Sequence, residues 1–503
     1  MSTENPTQKS PNIADSLAAT SAAETFNPNY VLDVGNNITL TLGADTLLIQ
    51  DPKIVKNIRF CGLRTTESTA SQEIPFYNIL AVDASDSTLT IKYARLILKD
   101  DYTPSTLQYV LHGDAARAEP WIERLLELAY GDAQRNKRLR VLINPYGGKG
   151  YAKDLYTEYA APMFEAAGCT TDLETTTHTG HATEISENID IDAYDAIVCC
   201  SGDGLPYEVL NGLAKKPNAS EALTRIAVVM LPCGSGNALA WNLFGTNSVS
   251  SVALGIIKGL RTPMDLTSIT QHNARTLSFL SQSYGIIAES DLGTDHLRWM
   301  GAARFTYGFL VRLIGQITYP CDLAFKVEID QKDKIKEHYY AYKNKKPELR
   351  PVGPGDQTGK GLPSLKYGTI DDELPSDWEK LSTDTLGNFY AGNMAIMSAD
   401  INFFPASLPN DGMIDLVMID GKAGRLKALS MMTAVENGAH FDYPEVVARK
   451  VTGYRLVPRN RDDGYISVDG ERIPFAPFQV EVHQGLGTVL SKSGHLYEAQ
   501  GPS

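Results

Sequence analysis

The sequence predicts an α/β domain built on a parallel sheet, followed by a mainly antiparallel β domain and preceded by a small β-rich domain. Three observations carry this. Between residues 136 and 265 short apolar runs alternate with amphipathic stretches, the rhythm of βαβ units. After Thr262-Pro263 most runs read as strands, with few helical patterns between them. From 28 to 112 six short β-like runs follow one another, parted by turn residues, and lead into one helix.

Composition bounds the rest. A chain of 503 residues holds two to four domains. Hydrophobic content of 43% and charged content of 21% are ordinary for a globular protein with a sizeable core. The net charge of −14 argues against general nucleic-acid binding, which rests on phosphate neutralisation. It leaves room for a local basic pocket and for brief contact with a membrane surface. The 6 cysteines include no C-x-x-C pair, so neither a zinc ribbon nor a disulfide framework is indicated. Cys199, Cys200 and Cys233 lie in apolar strand-like surroundings and read as reduced core residues. No long apolar run predicts a transmembrane helix, and the polar start lacks a signal-peptide core. A cytoplasmic, at most peripherally membrane-associated location is expected.

In chain order, residues 1–27 are rich in Ser, Thr, Ala, Asn and Pro and read as a disordered tail. Residues 28–135 contain NITLTL, TLLIQ, NIRFCGL, IPFYNILAV, TLTIKYARLIL and LQYVL, then the amphipathic AEPWIERLLELAYGDA. Strands closed by a Trp-bearing helix resemble a pleckstrin-homology-type module; a generic small β domain fits equally. Residues 136–265 give strands VLINP, CTTDLETTT, AIVCC and AVVMLPC with helical stretches between them. Residues 266–492 give the mostly antiparallel strands, interrupted by the helical RWMGAARFTYGFLVRLIGQI. Within them 342–386 mixes Pro, Gly and charge without periodicity, and a disordered insertion is expected. Residues 493–503 read as a tail.

Three Gly-rich turns each end a predicted parallel strand: NPYGGKG (144–150), SGDG (201–204) and PCGSGN (232–237). Ligands of open α/β sheets bind at the carboxyl ends of strands. Glycines let backbone N–H groups approach an anion, and a following helix N-terminus favours negative charge. NPYGGKG is not a Walker A loop, because Lys149 is followed by Gly150. GSGNALA lacks the third glycine of a dinucleotide fingerprint, since Leu239 stands there. Asp203, between two glycines, can orient and deprotonate an acceptor hydroxyl or help hold Mg²⁺. The plainer alternative is an Asp capping the helix that follows it. Glu208 reads as a surface acid or as a ribose or adenine contact. His178 and His181 in THTGHA could suggest a metal pair, but no third ligand is apparent nearby.

NPYGGKG, SGDGLPYEVLNGL and LPCGSGNALA, in that order, resemble the nucleotide-site motifs of the diacylglycerol kinase catalytic family, and of its sphingosine kinase branch in particular. SYGIIAESDLGTDHLRWMGAARFTYG (283–308) and SVDGERIP (467–474) extend the likeness, which spans roughly 136–320 and 388–490. The resemblance implies an ATP-binding α/β domain and a β-sandwich-like lipid-binding domain. It implies Asp203 as the base toward the lipid hydroxyl. It places Asn144, Gly147, Gly148, Thr176, Ser201, Gly202, Gly204, Glu208, Gly234, Ser235, Gly236 and Asn237 around ATP. Arg298 and Arg304 would reach the phosphates, Asp291 the polar head of the substrate. Gly470 and Glu471 would return to the nucleotide, with Asp469 near Mg²⁺.

The implied function is ATP- and Mg²⁺-dependent phosphorylation of the primary hydroxyl of a sphingoid base, with transient membrane contact. An acid at 291 suits a cationic amino-alcohol, which makes a charge-assisted hydrogen bond that diacylglycerol lacks. A ceramide kinase and a diacylglycerol kinase are the rival enzymes; a non-catalytic lipid-binding scaffold is the rival of another class. The apolar face Phe305, Phe309, Leu310, Leu313, Ile314 and Ile317 reads as a core helix or as the wall of an acyl-chain channel.

Overall fold

A computed structural model describes residues 30–56, 59–60, 63–64, 68–111, 118–294, 297, 303–315, 317–351 and 361–503. The expected tail at 1–27 lies outside them. The chain divides into two compact units. The first runs to Pro75 and takes in Ala84–Leu89 and Tyr109–Leu125; the second holds Phe76–Asp83, Thr90–Gln108 and Leu126–Ser503.

The first unit carries an antiparallel sheet ordered β1 (Val31–Val34), β2 (Ile38–Leu42), β3 (Thr46–Lys56), β4 (Ser68–Pro75). The alternation in ITLTL explains it: Ile38, Leu40 and Leu42 are buried while Thr39 and Thr41 face outward. Phe76–Asp83 and Thr90–Gln108, within the expected 28–135 domain, cluster with the larger unit. Tyr130 gives its hydroxyl to the Leu80 carbonyl (2.6 Å), Lys258 gives an Nζ–H to the Ile79 carbonyl, and Ser248 Oγ reaches Asp101 Oδ1 (2.7 Å).

In the second unit, β5 (Arg138–Ile143), β6 (Thr170–Thr175), β7 (Ala196–Ser201) and β8 (Ala227–Pro232) form a parallel sheet ordered β6-β5-β7-β8. Every residue of β7 and β8 is buried, as a strand covered on both faces requires. Helices α1 (His181–Asn188), α2 (Gly204–Ala214), α3 (Ala238–Phe244) and α4 (Val249–Lys258) follow strands β6, β7 and β8. Cys199, Cys200 and Cys233 are buried free thiols, as expected.

The expected boundary at 265 is a continuous strand. β9 (Leu260–Gln271) leaves the α/β layer and enters an antiparallel sheet of 11 strands. Arg261, at its start, gives its guanidinium to the carbonyls of Asp195, Thr224 and Arg225, which ties the two layers together. The remaining strands on the main path are β10 (Ala274–Ser278), β11 (Ser281–Gly285), β14 (Leu386–Gly392), β15 (Ile414–Asp420), β16 (Val446–Pro458), β17 (Ile466–Val468), β18 (Glu471–Ile473) and β19 (Phe478–Ser491). Their order is β10-β9-β19-β16-β15-β14-β11-β17-β18, with β12 (Cys321–Ile329) joining β16 to β13 (Glu379–Thr383). Tyr284, Phe325, Phe389, Tyr454 and Phe478 lie at the centre of the core these strands share. Helices α5 (Ile286–Leu292) and α6 (Ala303–Gly315) follow β11, α7 (Lys332–Lys343) follows β12, and α8 (Arg425–Ala434) follows β15.

The 342–386 segment is not a disordered insertion where it is described. Glu481 on β19 accepts the Lys366 and Tyr367 N–H groups, both at 2.8 Å. Arg455 on β16 donates to the carbonyls of Thr369 and Asp372. Gly361 N–H meets the Pro217 carbonyl (2.6 Å), and Tyr367 packs edge-on against Trp378. An aperiodic segment cannot satisfy its backbone in a ladder, so side chains of neighbouring strands do so. Residues 352–360 lie outside the described residues.

Lys450, Asp411 and Asp415 form a buried ionic cluster, with His338 at its edge. Lys450 Nζ lies 2.9 Å from both Asp411 Oδ2 and Asp415 Oδ2, and His338 Nε2 stands 3.0 Å from Asp411.

Candidate active site

The three Gly-rich turns meet. Their strands, β5, β7 and β8, are adjacent and parallel, so the turns emerge side by side at one sheet edge. The contact is backbone on backbone. A Cβ at Gly234 would lie 2.3 Å from Gly202 Cα, and one at Gly148 would lie 2.4 Å from the Cys233 carbonyl oxygen. Gly148 also takes φ +58°, a conformation that L side chains disfavour. Asn144 Nδ2 donates to Ser201 Oγ (3.3 Å), and its Oδ1 accepts the Tyr146 N–H (2.9 Å). Asn237 closes the third turn: Oδ1 accepts the Gly234 N–H and Nδ2 donates to the Gly234 carbonyl. Ser235 and Gly236 form its outer rim.

Gly234→Ala is therefore expected to cost about 1–3 kcal/mol of stability, the range for overpacking a tight contact. The added methyl has no room beside Gly202 Cα unless the turns separate. Urea unfolding checks this.

Asp203 does not cap its own helix: no side-chain capping bond reaches α2. Instead Oδ2 accepts the Ala238 N–H and Oδ1 the Leu239 N–H, both at 3.0 Å, so the carboxylate caps α3. Burial raises its pKa, and the backbone N–H groups of Leu239, Ala238, Asp203 and Asn237 only partly offset this. The result is a carboxylate fixed in direction by two donors and made more basic by its surroundings.

Glu208 turns its carboxylate toward the backbone of the preceding turn. Its two oxygens accept the Gly180 N–H (3.0 Å) and the Ala182 N–H (3.2 Å), anchoring the start of α1. Thr176 is buried, its N–H on the Ile143 carbonyl. The turn after Thr176 differs from expectation: His178, His181 and Glu184 bring their ligand atoms within 4.8 Å of one another. The third group is one helical turn beyond His181, a neighbour that appears only once α1 is known to begin there.

The antiparallel domain adds the other wall. Asn242 Nδ2 donates to the Ile396 carbonyl, and Asn242 Oδ1 accepts the Ile396 N–H, joining α3 to that domain. Glu471 Oε1 lies 3.3 Å from where a Gly204 Cβ would be. Asp469 and Gly470, with φ of 52° and 84°, form the Asp-Gly turn of the β17–β18 hairpin. Asp469 itself is closed off. Its Oδ1 accepts Ser278 Oγ–H (2.6 Å) and the N–H groups of Leu280 and Ser281, and Oδ2 accepts the Phe279 N–H. Burial raises its pKa to about 6 despite these bonds. Four donors, three of them on Oδ1, give this buried carboxylate a turn-holding role.

Asp291 sits near the end of α5, half-buried. Tyr390 shows what gathers around it: burial raises its phenol, and Asp291, Asp469 and Asp203 raise it further. The three acids singled out in sequence therefore share one neighbourhood. Arg298 lies outside the described residues; Arg304 falls in the first turn of α6, its side chain likewise outside them.

Two groups were missed in the sequence. Tyr390 carries no local signal, being one aromatic in a strand. Glu289 accepts Arg312 Nε (3.0 Å) on Oε2 and Arg461 Nη2 (2.8 Å) on Oε1. It locks α5 to α6 and to the loop before β17, partners far apart in the chain.

Comparison with known proteins agrees with this arrangement. Residues 138–269 match the diacylglycerol kinase catalytic domain, residues 378–491 the YegS C-terminal NAD kinase beta sandwich-like domain, and residues 30–131 a domain of unknown function. The class is thereby set: a kinase-type α/β domain joined to a β-sandwich-like domain. The chain is 34% identical over 491 residues to sphingoid long chain base kinase 5 of Saccharomyces cerevisiae, covering 87% of this chain and 70% of that one. It is 34% identical over 433 residues to sphingoid long chain base kinase 4 of Schizosaccharomyces pombe, covering 86% and 90%. Human sphingosine kinase 1 is 29% identical over 381 residues, covering 72% and 92%. The chain belongs to the sphingoid long-chain base kinase family.

Proposed function

We propose that this chain transfers the γ-phosphoryl group of ATP to the primary hydroxyl of a sphingoid long-chain base, with Asp203 as the base. The observation that carries the reading is the convergence of three backbone-lined turns on one carboxylate whose orientation is fixed and whose pKa is raised. Little covalent work is left to a protein in phosphoryl transfer; positioning and charge matter most. The turns offer backbone N–H groups toward phosphate oxygens. Asp203 accepts the hydroxyl proton as the oxygen attacks. Arg298 and Arg304 supply positive charge to the phosphates.

Mg²⁺ prefers oxygen ligands and keeps several waters, so one carboxylate and the nucleotide phosphates suffice. Asp203 fits as that carboxylate, since it stands among the three turns and is less enclosed than Asp469, which is 3% exposed. Bound there, the ion would neutralise phosphate charge.

Asp291 is assigned to the substrate amine. Asp291→Asn is expected to raise the KM for the sphingoid base about tenfold, the loss of a charged hydrogen bond, with the ATP KM unchanged. Turnover of a sphingoid base, its N-acyl derivative and diacylglycerol, each followed by mass spectrometry, tests the class. Equal turnover of the N-acyl lipid would remove the role given to Asp291.

A membrane-facing surface accompanies this reading. The apolar face of α6 divides: Phe309 and Leu313 are half-buried, while Leu310 is 37% and Ile314 66% exposed. On α8, Leu426 is 86% exposed beside Arg425, whose guanidinium reaches the Ile314 carbonyl. Apolar residues rimmed by Arg425 and Lys427 suit shallow contact with a lipid surface. Among the described residues no helix is long and apolar enough to cross a membrane.

A further inference from the structure

We propose that the turn joining β6 to α1 binds one transition-metal dication of the zinc class, through His178, His181 and Glu184. This site is separate from the Mg²⁺ that accompanies ATP. Two imidazoles and a carboxylate are the ligand set of zinc, cobalt or nickel, whereas Mg²⁺ prefers oxygen alone.

Several independent features point the same way. The two rings face each other with centroids 4.9 Å apart. His178 places Nδ1 3.1 Å from the Thr179 carbonyl, and donating there leaves Nε2 with a free lone pair. That Nε2 stands 3.8 Å from Glu184 Oε2, a separation that a shared ion would shorten by a small side-chain rotation. The rotation is unhindered: the side chains of His178 and Glu184 are 52% and 64% exposed.

His181 is flanked by a further carboxylate. Its Nε2 lies 3.9 Å from Glu174 Oε1, while the other Glu174 oxygen pairs with Arg140. A carboxylate oxygen on the same side of the ring as Nε2 adds negative charge beside the ion. His181 Nδ1 currently receives the Thr177 N–H at 3.2 Å, with the Thr177 hydroxyl at 3.4 Å. If Nε2 takes the ion, Nδ1–H can donate to that hydroxyl instead.

The backbone under the ligands is already fixed. Glu208 holds the N–H groups of Gly180 and Ala182, on either side of His181. Gly180, at φ +85°, makes the bend that brings His178 back over the first turn of α1. A cation here would brace the turn that carries Thr176.

The test uses the full chain without a polyhistidine tag, stripped of metal. Zn²⁺ is titrated against a chromophoric chelator, and Co²⁺ uptake is followed by its d–d absorption. One equivalent per chain is expected, undisturbed by excess Mg²⁺, with Zn²⁺ raising the melting temperature. His178→Ala and Glu184→Gln should each weaken binding by more than about tenfold. Both positions are exposed, so both variants should melt at the wild-type temperature without metal. Absence of a stoichiometric equivalent, or variants binding as tightly as wild type, would overturn the proposal.

Discussion

Asp203→Asn is expected to lower kcat by about a thousandfold, within the range a positioned general base contributes. The choice of Asn matters. Asp203 caps α3 through two N–H bonds, so Ala would damage the third turn as well as the chemistry. Asn keeps one acceptor and the same shape, at a cost of about 0.5–2 kcal/mol at most for a weakened cap. The fold should survive while turnover does not, and any loss of ATP affinity should appear only in the presence of Mg²⁺, where it reports the ion contact. Thermal melting, nucleotide binding and single-turnover transfer separate the three.

The pH profile gives a second readout. Burial raises the folded pKa of Asp203. Below that pKa the carboxyl is protonated and cannot accept the substrate proton. The acidic limb of kcat should therefore lie above the usual carboxylate value of about 4, with activity lost as pH falls through it. In Asp203→Asn the residual activity should lack that limb. An Asn variant with more than about a tenth of wild-type turnover would contradict a base role of this size.

Lys450→Met should be the most damaging single change to stability, at about 3–5 kcal/mol, because it strands two carboxylates in the core. Burial pushes the Asp411 carboxyl up, but Lys450 and His338 outweigh it and hold it below its ordinary range. At Asp415 burial wins and the pKa rises. In wild type the Asp411 contribution is present above the unfolded pKa of about 4 and is lost as pH falls through the folded value. Without Lys450 both carboxyls move upward, so the variant loses stability as pH rises from about 4. The gap between the two proteins should be widest at neutral pH and narrow on acidification. Urea unfolding of both across that range measures it; a constant gap would mean the ion pairing is not its source.

Much of the site was legible because it is local. A strand that ends in Gly-rich sequence and runs into a helix announces itself in NPYGGKG, SGDG and PCGSGN. The Asp-Gly turn at 469–470 is equally local. The roles of the acids were less legible. Asp203 caps a helix that begins 35 residues later, and Glu208 caps one that begins before it. Both partners are set by which helix N-termini the parallel sheet places next to β7. Asp469, read from sequence as near Mg²⁺, holds its turn through four donors from residues 278–281. The 342–386 segment lacks any period, and its order comes from Glu481 and Arg455, over 80 residues away in sequence.

By itself the sequence determined the elements, the three turns and the identity of the acid among them. Those follow from hydrophobic period and from the conformations only glycine allows, which act over a few residues. The tertiary structure alone decided which carboxylates stay available and which are consumed by backbone donors. It also decided that His178, His181 and Glu184 form a cluster. A lone pair can be spent only once, and the donor that takes it comes from wherever the chain returns in space.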